Sequence, residues 1–116
     1  MAPVPAVGAQ FVLPQSTDIY VAMGPFLDAA TGLAMTGLTI PYTEVLLSKN
    51  NEAFSAKSNT VAAEEMANGF YKITLGSADV TITGAVKDNL LLVSINHSGA
   101  LPVWKEFRVD PSLAPV

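Results

Sequence analysis

Asn89-Leu90-Leu91-Leu92-Val93-Ser94-Ile95-Asn96-His97, followed by Ser98-Gly99-Ala100-Leu101-Pro102 and then Val103-Trp104-Lys105-Glu106-Phe107-Arg108-Val109, decides the fold of this chain. A short link containing Gly and Pro between two strand-like runs reads as a β-hairpin. The second run alternates, with Trp104, Glu106 and Arg108 on one face and Val103, Lys105, Phe107 and Val109 on the other. The first run starts apolar on both faces, the pattern of a central strand covered on both sides.

Working outward, the remaining segments read as further short strands. Residues 11–13 form a brief first strand, and 18–23 a better one that stops at Gly24-Pro25. Residues 26–37 mix Asp, Thr and Gly with scattered apolar side chains, which predicts a long connection or a ragged edge strand. Residues 43–49 end at Asn50-Asn51, a pair suited to a tight hairpin, so 53–58 is expected to run back antiparallel. Residues 60–67 form either one helical turn or another strand. Residues 69–75, aromatic and β-branched after Asn68-Gly69, are the clearest strand in the middle of the chain. Six to eight short strands at this spacing predict an all-β fold, an antiparallel β-sandwich that is Ig-like in the broad sense, with extended N- and C-terminal arms. The domain is expected over 11–110, with an N-terminal arm at 1–10 and a C-terminal tail at 111–116.

The 116 residues suffice for one core without disulfides, and the chain has no Cys. Half of the residues are hydrophobic and only 14% are charged, with a mean hydropathy of +0.39. That is more apolar than a small interior needs, so part of it is expected to face a partner. Lys49, Lys57, Lys72, Lys87, Lys105 and Arg108 never cluster, and the net charge is −4, which argues against nucleic acid. No apolar run is long enough to span a membrane as a helix. The N-terminus lacks the basic and apolar regions of a signal peptide, so synthesis and assembly in the cytoplasm are expected.

No catalytic set emerges. His97 is the only histidine, and no carboxylate is placed by sequence to orient it. Glu64-Glu65 point apart on either a strand or a helix. Asp79 and Asp88 are too sparse for a calcium loop, and an Asx-turn or cap explains Asp79 as well. The glycines fall where strands end and form no phosphate-binding fingerprint. We therefore expect no enzymatic activity, no cofactor and no metal.

Interaction surfaces remain. The Pro/Ala/Val-rich ends read either as frayed termini or as arms laid across a neighbouring subunit. Trp104 reads either as core or as an interface anchor. The interface candidates are Val4, Val7, Phe11, Tyr71, Leu101, Trp104, Phe107 and Leu113.

Residues 26–109 also resemble a β-rich domain of virion structural proteins of tailed bacteriophages. The resemblance is carried by Gly37-Leu38-Thr39-Ile40, Leu47-Ser48-Lys49-Asn50 with Ala53-Phe54, and Gly69-Phe70-Tyr71 with Leu75 and Asp79. Its most specific part is Ser98-Gly99-Ala100-Leu101-Pro102-Val103-Trp104 with Phe107 and Val109. Such proteins sometimes carry long C-terminal extensions; with the sequence ending at Val116, a compact module is expected here rather than a fibre shaft. The resemblance implies a non-enzymatic virion structural protein, foremost a capsid decoration (cement) protein that binds across subunits of the major capsid protein. The alternatives are a tail or fibre-base adaptor, or a module that binds glycans or proteins on the host surface. Self-association as a dimer or trimer is expected.

Overall fold

The computed structural model describes residues 12–82 and 89–110. The expected arms, with Val4, Val7 and Leu113, lie outside these residues, as do Phe11 and Asp88. Among these residues eight strands form: β1 (Val12–Pro14), β2 (Ile19–Met23), β3 (Val45–Lys49), β4 (Ser55–Ala56), β5 (Glu64–Ala67), β6 (Phe70–Leu75), β7 (Asn89–Ile95) and β8 (Val103–Asp110). Single 3-10 turns cover Tyr42–Glu44 and Ser77–Val80.

The strands make two sheets packed face to face, a β-sandwich. One has the order β1-β8-β7-β3-β4 and the other β2-β6-β5. The period of two along each strand decides what is buried. Leu91, Val93 and Ile95 of β7 and Phe107 and Val109 of β8 meet Val21, Met23, Tyr71, Ile73 and Leu75 of the facing sheet, sealed by Phe26, Ile40 and Val80.

The 89–109 hairpin forms as its sequence predicts, with Asn89 paired to Val109 and Ile95 to Val103. The Asn50-Asn51 turn holds both residues at positive φ, and β4 returns antiparallel as a shorter strand than expected. Residues 64–67 are strand, not a helical turn. One expectation is corrected: β1 runs parallel to β8, so the sandwich is not wholly antiparallel. The chain reaches β2 in the other sheet only after leaving β1 at Pro14, and that crossing leaves β1 no hairpin partner of its own.

A second correction concerns two interface candidates. Tyr71 and Phe107 are buried, because each occupies an inward position of its strand. The alternation that exposes Trp104 on β8 turns Phe107 inward, so the two cannot share one surface. The buried Tyr71 ring meets Phe26 edge-on at 5.2 Å between centroids. Its hydroxyl donates to the Met35 carbonyl at 3.1 Å and accepts the Leu38 amide at 3.0 Å. Tyr71→Phe is expected to cost about 1–2 kcal/mol in urea unfolding and to speed amide exchange at Leu38; unchanged exchange there would contradict the role assigned to the hydroxyl.

Candidate interaction surfaces

The 24–44 connection, the Asn68-Gly69 turn and the 96–102 connection come together at one end of the sandwich. Their backbones are stitched to one another. Phe26 N donates to Gly69 O at 2.8 Å, Ala29 N to Gly99 O at 2.9 Å and Leu101 N to Leu27 O at 2.8 Å. Gly37 N donates to the Glu65 carboxylate at 2.9 Å. Asp28 caps the local turn by accepting the Ala30 and Thr31 amides, and these bonds hold its carboxyl below the usual carboxylate range. Between Gly24 and Thr43 Asp28 is the only charged residue, so the connection presents a surface of Ala, Thr, Gly and Leu. Leu33 (69% exposed) projects from it, and Leu101 (44%) from the adjoining 96–102 connection. A frame fixed in this way presents side chains with little ordering left to pay on binding.

His97 belongs to the same end. Its Nδ1 lies 2.7 Å from Glu44 Oε1, linking the end of β7 to the turn before β3. Sequence reasoning missed this carboxylate because it lies 53 residues away and meets His97 only through the β3·β7 pairing. Asp79 takes the cap role expected of it and more. Its buried carboxylate accepts the Ser58 amide and hydroxyl, the Gly76 amide and the Asn59 amide at 2.6–3.3 Å. Burial pushes its pKa up, and these bonds outweigh burial and hold it below the usual value. Buried Lys57, which no sequence pattern marked, donates to the Asn59 and Val61 carbonyls at 2.6 and 2.9 Å. Burial lowers its pKa, with the charge of Asp79 opposing. A shallow hollow lined by Lys49, Asn50, Glu52, Thr81 and Ile82 has its cation engaged, since Lys49 donates to the Ala78 and Thr81 carbonyls.

The outer faces of the two sheets differ in character. On the three-stranded sheet, Lys72 sits 4.5 Å from the Tyr20 ring centroid and 3.8 Å from Glu64. On the five-stranded sheet, Trp104 is 67% exposed, which decides against a core role for the sole tryptophan. Cross-strand pairing sets Trp104 beside Ser94, with Leu46 beyond Ser94 on β3, Glu106 beside Leu92, and Arg108 beside Leu90 and Val12. The leucines are half-buried, so the double-sided apolar run of β7 fills one core and leaves part of its outer face open.

Comparison with protein-family models, curated proteins and solved structures finds no match. Among the described residues, no helix is long and apolar enough to cross a membrane. Of the expected interface residues in the described part of the chain, Leu101 and Trp104 reach the surface. Leu33 was missed: a lone Leu in a Gly/Thr-rich connection carries no periodicity to mark it.

Proposed function

We propose that this chain is a non-enzymatic virion structural protein that docks on neighbouring particle subunits, foremost as a capsid decoration protein. The observation that carries the reading is the stitched loop end, whose 24–43 connection carries a single charged residue, with Leu33 and Leu101 exposed. Such a surface suits burial against another protein, where depletion of charge and a few large side chains supply the binding energy. The resemblance of 26–109 to tailed-phage virion domains supplies the particle context.

The strand order supports an Ig-like assignment. Lettered A′, B, C, C′, D, E, F and G along the chain, the strands give A′-G-F-C-C′ facing B-E-D, the arrangement of an immunoglobulin-type sandwich. The tryptophan stands on the last strand rather than on C, and no cysteine pair joins the sheets.

The test is the copy number of this chain relative to the major capsid protein in purified particles, by quantitative mass spectrometry. A near-stoichiometric ratio is expected, and Leu33→Asp with Leu101→Asp should lower retention about tenfold. A handful of copies would move the assignment to the tail or fibre base, and absence from particles would overturn it.

A further inference from the structure

We infer that the outer face of the five-stranded sheet is a self-complementary surface that pairs with a second copy of this chain about a two-fold axis. The inference stands on this sheet and is independent of the loop end and of any particle.

Three observations carry it. The face is apolar in its middle, where Leu90 and Leu92 of β7 and Leu46 of β3 lie half-buried, and the exposed Trp104 stands on the same side of β8. It carries one acid and one base in a fixed arrangement, Glu106 and Arg108, two residues apart and both exposed on the same side of β8. The outer face of the opposite sheet, with Tyr20, Met66 and Phe70 exposed, carries its acid and base on different strands, Glu64 on β5 and Lys72 on β6, so no strand there offers this same-strand arrangement.

Equal and opposite charges two positions apart on one strand are matched by an isologous contact. A two-fold axis lying across the strands at the level of Phe107 sets β8 antiparallel to β8 of the second copy. Glu106 of each copy then faces Arg108 of the other, twice over. Because Leu90 pairs with Arg108 and Leu92 with Glu106, the same operation sets Leu90 against Leu92 on the facing β7 strands. Trp104 comes to lie over the row where β1 pairs with the end of β8, at Pro14 and Asp110. Sheets stacked face to face in this way bury side chains in a layer like that inside the sandwich.

Trp104 is the sole tryptophan and therefore a direct reporter. Sedimentation equilibrium and Trp emission are measured together from low micromolar to near-millimolar chain. A monomer–dimer equilibrium is expected, with a blue shift of emission that follows the dimer fraction. Glu106→Arg and Arg108→Glu should each weaken the dimer about tenfold or more, since each sets like charges face to face. The double variant with both substitutions should recover it, which a merely weakened surface cannot do. Trp104→Ala should be monomeric and keep the melting temperature of the wild-type monomer at low micromolar chain, as expected for an exposed side chain. A monomer at every concentration, a dimer indifferent to these substitutions, or a double variant no better than the single ones would overturn the inference. A blue shift that appears only on adding particles would do so as well, by assigning the face to a shell protein.

Discussion

Asp79→Ala is expected to cost about 3–5 kcal/mol, the range for removing one partner from a buried charged cluster. The substitution strands three amides and a hydroxyl that now share one carboxylate, and it leaves the buried Lys57 ammonium without its compensating charge. Against a total stability of about 5–15 kcal/mol this is a large share, read as a fall in Tm of more than about 10 °C. Lys57→Met is expected to cost less, about 1–2 kcal/mol, because Asp79 keeps all four of its donors. Equal losses from the two substitutions would refute this division of roles. The cluster also sets an acid limit. The folded-state pKa of Asp79 lies below its unfolded value, so its contribution is complete above about pH 4 and is lost as pH falls through the folded value. Asp79→Asn should flatten that acid-side slope in a pH series of melting temperatures.

Gly24→Ala should be nearly as damaging, at about 3 kcal/mol or more. Gly24 has φ +144°, a conformation that L side chains rarely adopt, and a Cβ there would stand 2.8 Å from Gly69 O and 3.0 Å from Phe70 Cα. Both are backbone atoms and cannot rotate aside. The clash would push apart the two turns joined by the Phe26–Gly69 hydrogen bond, on which the loop end depends. Gly32→Ala is the control: its φ is +75° but a Cβ would meet nothing within 4 Å, so about 1 kcal/mol is expected. Urea titration of the three proteins separates the two contributions. If Gly24→Ala were as mild as the control, the close packing of these turns would be wrong.

The β-sandwich was legible because its decisive strands are long and alternate. Residues 89–109 announce their pairing through a Gly/Pro link, and Asn50-Asn51 and Asn68-Gly69 mark turns that adopt the positive φ values their types favour. The parallel β1–β8 pairing was not legible, since three residues carry no period and their partner lies at the far end of the sequence. Trp104 shows where composition misleads. Its size argued for the core, while its position in phase with Glu106 and Arg108 already placed it on the outer face. The same phase put Phe107 inside, and applying it to Tyr71 through Ile73 and Leu75 would have removed that residue from the surface candidates too. The Glu44–His97 pair depends on a contact between segments distant in sequence, which local patterns do not encode.

The parallel placement of β1 beside β8 has a mechanical consequence. Tension applied at Val12 and Asp110 draws the two strands in opposite directions along their own axes, because they run the same way and are held from opposite ends. The load falls on all of their hydrogen bonds together, whereas an antiparallel pair pulled from one end opens a bond at a time. A sandwich connected in this way resists a pull applied between its first and last described strands.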